Sequence, residues 1–332
     1  MSAVASPQAV GLLTTPPAAT AAVRADGVVR RYRNGRGVGP VDLAVGPGET
    51  MALMGRNGCG KTTLLRLLAT VSRPQRGEVS WFDGPAAPAR AHIGLALDGA
   101  LEDGGLTGRQ ATYFWCAQWI SARDEVRTRT DGLLDRLGLA AAADAAVGSY
   151  SFGMRRRLAL VAALVHDPLL ALLDEPTAGL DPAGCAELAV ILAERRERAR
   201  STIVASNDPG FVEAVAGQVT FLDEGLVVRC ATPQELLDSL PRGRVAELVT
   251  HGRCDAAGLR RVAGVVDVAV AGSSAMVRFD GDSTIAALVA AADAPGGRLR
   301  ELRLRRPDLG DCFRELTGQM LEDGHWSATT PA

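Results

Sequence analysis

Apolar positions along the chain change their spacing several times, and each change predicts an element. Short runs of strand character come first: GVVRRY ending at Tyr32, VDLAV at 41–45 and ETMALMG at 49–55. A run with helical period, KTTLLRLLAT, opens at residue 61, and EVSWF (78–82) and HIGLAL (92–97) predict further strands. From about 106 to 166 the period is helical, in TGRQATYFWCAQWIS, DEVRTRTDGLLDRLGL and MRRRLALVAALVH. LLALLD (169–174) is apolar without alternation, as a strand buried on both faces requires. A helix at 183–199, strands STIVAS (201–206) and VTFLD (219–223), and PQELLDSL follow. Strands alternating with helices predict an α/β fold around a parallel sheet.

A second unit begins near LPRGRV (240–245). Its pattern is strand (245–250), helix (255–263), strand (265–271), strand (275–279), helix (283–293) and strand (299–304), closed by a helix at 309–318. That βαββαβ order is the ferredoxin-like α+β arrangement. The reading divides the chain into a tail (1–22), an α/β domain (23–240) with a helical subdomain at about 106–166, an accessory α+β domain (241–320), and a loose end (321–332). The tail is rich in Ala, Pro and Thr, a composition that buries little and predicts disorder.

Composition narrows the function classes. Of 332 residues 47% are hydrophobic and 22% charged, with net charge −2, so no bulk attraction to nucleic acid or anionic lipid is expected. No run reaches 18 uninterrupted apolar residues, because His166, Asp167 and Pro168 break the longest. The six cysteines are scattered without CxxC spacing, which reads as reduced thiols. The basic residues are all arginine except one, Lys61.

That lysine sits in GRNGCGKT (55–62), which fits G-x-x-x-x-G-K-[ST] between a predicted strand and a predicted helix. Gly55, Arg56, Asn57, Gly58, Cys59 and Gly60 would wrap backbone N–H groups around a nucleotide's phosphates. Lys61 adds a compact ammonium that a guanidinium could not replace, Thr62 can ligate Mg²⁺, and Thr63 beside it completes the nucleotide-binding set. Asp174, at the end of LLALLD, is placed for the metal shell, and Glu175 beside it for the attacking water.

The segment YSFGMRRRLALVAALVHDPLLALLDEPTAGLDP (150–182) resembles the signature-to-D-loop region of ABC-transporter ATPase subunits. The likeness covers roughly 23–240, and PDLGDCFRELTG (307–318) is similar to the close of the extra domain in daunorubicin-resistance-type exporter ATPases. The resemblance implies ATP and Mg²⁺ as cofactors and an ATPase driving efflux of a drug-like or other small molecule. It implies integral membrane permease subunits and a second ATPase subunit as partners, no nucleic acid, and a place on the inner face of the cell membrane. It further implies that Tyr32 stacks on adenine, that Ser151 and Gly153 reach a γ-phosphate held by the partner, and that Asp181 lies at the dimer interface.

Three positions depart from the family pattern. Phe152 stands where the signature has glycine, with Tyr150 in place of its leucine; Asp98 replaces the lid glutamine; Asn207 replaces the switch histidine. Asp98 keeps an oxygen for the metal shell, and Asn207 keeps a hydrogen-bonding group but cannot carry a proton. The departures predict slow hydrolysis, with an impaired, ATP-binding regulatory subunit as the alternative. Tyr113, Phe114, Trp115 and Trp119 read as subdomain core rather than a docking surface. Arg155–Arg157 read as a solvated face and ERRERARS (194–201) as a charged helix end.

Overall fold

In the first unit (Met1–Pro233) the runs fold in the order β1 (Val23–Arg31), β2 (Gly37–Val45), β3 (Thr50–Met54), α1 (Lys61–Leu68), β4 (Arg76–Trp81), α2 (Ala86–Ala89), β5 (Ile93–Ala96), α3 (Gly108–Ala117), α4 (Arg123–Arg136), α5 (Phe152–Leu164), β6 (Leu170–Asp174), α6 (Pro182–Glu197), β7 (Ser201–Ala205), α7 (Pro209–Val215), β8 (Gln218–Asp223) and β9 (Leu226–Ala231). The computed structural model describes residues 20–97, 105–241, 243–281, 284–293 and 297–321.

Six strands form one sheet in the order β5-β6-β7-β3-β8-β9, parallel except for β9 at the edge. β1 lies between β2 and β4 in a separate antiparallel sheet, an addition to the parallel sheet expected from the pattern. Its physical origin is visible in β1, where buried Val23 and Ala25 alternate with exposed Arg24 and Asp26. One-faced burial suits antiparallel pairing, whereas β3 and β7 are buried throughout. β9 was not anticipated. Its signal is the two-residue turn Glu224–Gly225, both at positive φ (47° and 83°), which returns the chain directly from Asp223 to Leu226.

The uniform apolarity of β6 serves two cores. Leu170 and Leu172 pack with β1, β2 and α1, while Ala171 and Leu173 pack with α4, α5, α6 and α7. The charged stretch at 194–201 is less exposed than expected. Arg195 turns inward to the carbonyls of Pro168 (3.0 Å) and Ser201 (3.2 Å), and Arg200 pairs with Asp167 at 3.1 Å.

α8 (Pro233–Asp238) leads into the second unit (Gln234–Ala332), built from β10 (Arg244–Thr250), α9 (Ala256–Arg260), β11 (Val265–Ala271), β12 (Ser274–Phe279), α10 (Thr284–Ala292), β13 (Leu299–Arg305) and α11 (Leu309–Thr317). Its four strands pair antiparallel in the order β11-β12-β10-β13. Ala246, Leu248, Val277 and Phe279 face Leu259 of α9 and Leu288 of α10. Side chains of opposite parity on the sheet meet α11 through ion pairs: Arg278–Glu315 at 2.7 Å, and Arg305, which joins Glu247 (2.7 Å) to Asp311. The α+β class expected for this part of the chain is the class observed.

Candidate nucleotide site

The start of α1 differs from those of the helices that follow the other central strands. α5, α6 and α7 begin under side-chain caps, in which Ser151, Asp181 and Asp208 accept from the N–H groups of Met154 (3.2 Å), Gly184 (2.7 Å) and Phe211 (3.1 Å). α1 begins at Gly60 with no side-chain cap, so its positive end can face an anion. Gly60 has φ 117°, and a Cβ there would lie 2.4 Å from Val38 Cγ1 and 2.8 Å from the Gly37 carbonyl. Only glycine lets the loop close this tightly on β2.

Behind the loop, Lys61 is 7% exposed. Its ammonium donates to the Gly55 carbonyl and to Asn207 Oδ1 (3.3 Å), with Glu175 Oε1 at 3.8 Å. The Gly55 N–H also donates to Asn207 Oδ1 at 3.2 Å, so two donors fix the orientation of that amide. Thr62 Oγ1 donates to Asp174 Oδ2 at 2.7 Å, which brings the two motifs into direct contact. Burial pushes the Asp174 carboxyl up, against the smaller opposing pulls of the Thr62 hydroxyl and of Lys61 and Arg156. Glu175 follows at φ 45°, with its N–H donating to Ala205 O at 2.8 Å.

A cleft of 330 Å³ opens over these groups. Its lining includes Tyr32, Arg56, Asn57, Gly58, Gly60, Lys61, Thr62, Thr63, Asp174 and Glu175. Gly55 and Asn207 stand behind it, and the Cys59 thiol is buried beneath, its pKa raised by that burial. Five lining residues escaped the reading of the sequence: Asn34, Arg36, Gly37, Arg66 and Arg156. Arg66 lies one turn after Thr62 on the helix that opens the cleft, a spacing that could have revealed it.

Ser151, Gly153 and Asp181 are not brought to this cleft. Ser151 and Asp181 cap their own helices, and Gly153 packs against Gly179 so closely that a Cβ would lie 2.9 Å from the Gly179 carbonyl. Phe152 is 58% exposed. Tyr150 is buried and donates to the Ala142 carbonyl at 2.7 Å. Asp98 lies outside the described residues.

Two expectations are corrected here. Tyr113, Phe114 and Trp115 are exposed rather than core, and only Trp119 turns inward, 5.7 Å from His166 beside Cys116 and Ile120. Hydrophobicity marked these side chains for burial without telling intramolecular burial from a docking surface. Of Arg155–Arg157 only the first is exposed, and Arg156 reaches the cleft.

Residues 38–178 match the ABC transporter family model. The daunorubicin resistance ATP-binding protein DrrA2 of Streptomyces coeruleorubidus is 35% identical over 91% of this chain and 97% of its own. The linearmycin resistance ATP-binding protein of Bacillus subtilis is 25% identical over 91% of this chain and 100% of its own. Among solved structures, cbiO1 of Clostridium perfringens, part of the ABC transporter complex cbiONQ, aligns with TM-score 0.56 and 28% identity over 66% of this chain and 92% of that one. An ATP-binding subunit of an ABC transporter aligns with TM-score 0.61 at 21% identity, over 65% of this chain and 92% of that one, a likeness of fold.

Proposed function

The chain belongs to the ABC transporter ATPase family, and on that premise we propose that it is the ATP-binding and hydrolysing subunit of an exporter for a drug-like or other small molecule. The observation that carries the proposal is the convergence of Lys61, Thr62, Asp174 and Glu175 at the foot of one cleft, below the uncapped start of α1. Relatives named for resistance to daunorubicin and linearmycin support the cargo class.

In this reading the loop N–H groups and Lys61 hold the triphosphate, and Tyr32 at the cleft's edge stacks on the base. Thr62 and Asp174 present adjacent oxygens of the hard kind that suit Mg²⁺, with phosphate oxygens and water completing the shell. The ion, when bound, would offset negative charge on the phosphates. Glu175 polarises the attacking water, and Lys61 neutralises charge developing on the γ-phosphate. Asn207 cannot carry a proton, so turnover is expected to be slow and to rise in Asn207→His. Ser151, Gly153 and Asp181, placed away from their own chain's cleft, would serve a second ATPase subunit. The exposed Tyr113, Phe114 and Trp115 would meet a membrane permease. Among the described residues no helix is long and apolar enough to cross a membrane, so that permease would hold the chain to the membrane's inner face.

Calorimetry and steady-state ATPase assays test the proposal together. Lys61→Ala is expected to lose ATP binding, and Glu175→Gln to keep binding while losing about 10²–10³ in turnover. Wild-type turnover equal to that of Glu175→Gln, with ATP still bound, would overturn the hydrolytic reading.

A further inference from the structure

One arginine ties the signature segment to the cleft of its own chain. Arg156 lies one helical turn after Phe152 on α5, and its guanidinium carbon sits 5.0 Å from the centre of the Phe152 ring. Its Nη1 donates to the backbone carbonyl of Glu175 at 3.1 Å. The same side chain forms part of the cleft wall with Lys61, Thr62 and Asp174, and of a small adjoining pocket with Leu97, Leu160 and Pro176.

Glu175 needs such a hold. At φ 45° it occupies the left-handed region that side chains other than glycine rarely adopt, so the surrounding contacts must fix it there. The N–H is fixed by Ala205 O, and the carbonyl by Arg156. Rotation of either peptide group would swing the carboxylate away from its place 3.8 Å from Lys61.

We propose that Arg156 is a positioning residue for hydrolysis: it holds the left-handed backbone of Glu175, and Phe152 holds Arg156. The inference rests on Glu175 acting as the water-polarising group. It makes Phe152 more than a bulky departure from glycine. The ring links the exposed start of α5, where a second subunit's nucleotide would bind, to the catalytic carboxylate of its own chain. A contact made at Phe152 is then felt at Glu175.

The test uses the full chain and compares ATP Kd, kcat and melting temperature for wild type, Arg156→Gln, Arg156→Lys, Phe152→Leu and the Arg156→Gln/Phe152→Leu double variant. Arg156→Gln is expected to lower kcat between about ten- and a hundredfold, with Kd for ATP and melting temperature nearly unchanged. Arg156→Lys, which retains a cationic donor group but not the planar fork, recovers part of kcat. Phe152→Leu lowers kcat less, and the double variant is no slower than Arg156→Gln alone. An unchanged kcat in Arg156→Gln, in an enzyme whose turnover depends on Glu175, overturns this inference and leaves the proposed function standing. Parallel losses in kcat and ATP affinity overturn it by making Arg156 a nucleotide ligand. Multiplying losses in the double variant overturn the link through Phe152. Should Arg156→Gln fold poorly, Arg156→Lys and Phe152→Leu give the same kcat-against-Kd comparison. Wild-type turnover no faster than that of Glu175→Gln defeats the premise and the inference together.

Discussion

Lys61 and Phe152 stand at opposite ends of the proposed chemistry and are built in opposite ways. The lysine is buried, with its ammonium already engaged by Gly55 and Asn207 and close to Glu175. The phenylalanine is exposed, its ring meeting Arg156 of its own helix. The loop end draws its contacts from α1, β6 and the segment after β7. The signature end is a surface whose neighbours Ser151 and Gly153 do only local work, capping a helix and meeting Gly179. The contrast teaches that substitution at the loop end should change ATP affinity in the isolated subunit, whereas substitution at Ser151 should bear on a nucleotide only when two subunits close together.

The largest effect expected is the one already set for the loop end, loss of ATP binding in Lys61→Ala. The sharper comparison is Ser151→Ala, which removes a helix cap worth about 1 kcal/mol but touches no group of its own chain's cleft. It should leave ATP affinity unchanged in the isolated subunit, as read by calorimetry, and lower turnover once subunits associate. An equal loss of affinity in both variants would break the distinction. His166 belongs to neither end and controls for global effects. Burial lowers its pKa from 6.5 to about 4. Between those values the unfolded chain takes up a proton that the folded chain refuses. Stability is therefore full above pH 6.5 and falls toward pH 4, by on the order of 3 kcal/mol. A pH series of melting temperatures should show this slope in the wild type and a shallower one in His166→Gln.

Gly153→Ala follows, since its methyl would press on the Gly179 carbonyl and cost about 1–3 kcal/mol of stability without touching the loop end. Thermal unfolding alongside ATP titration would separate the two. The smallest effect concerns Asp174. Because burial raises its carboxyl pKa, it keeps its proton to higher pH than an ordinary aspartate. Affinity for Mg²⁺ with ATP should accordingly strengthen as pH rises through the acidic range, and Asp174→Asn should flatten that dependence.

The two ends were also unequally legible. The loop is contiguous, and its glycines, lysine and threonine are required at fixed spacing, so GRNGCGKT announces itself before any fold is known. Asp174 and Glu175 follow from a two-faced apolar strand that ends in carboxylates. Arg36 and Arg156 carry no such mark. Each is one arginine among many, and tertiary packing alone brings it to the cleft. Arg156 read as part of a solvated helix face because its partner carbonyl belongs to Glu175, far along the chain. The aromatic trio on α3 misled for a related reason, since spacing on a helix shows which side chains share a face but not what covers it. In the second unit the βαββαβ order was readable from period alone. The arginine–carboxylate pairs that seat α11 were not.

The solitary ε-amine at the foot of the cleft makes the chain its own occupancy gauge. An amine-selective acylating reagent has one side-chain amine to find apart from the amino terminus, and a bound triphosphate would shield it. Intact-mass spectrometry of the adduct would then count filled sites directly, without a label and without a mutation.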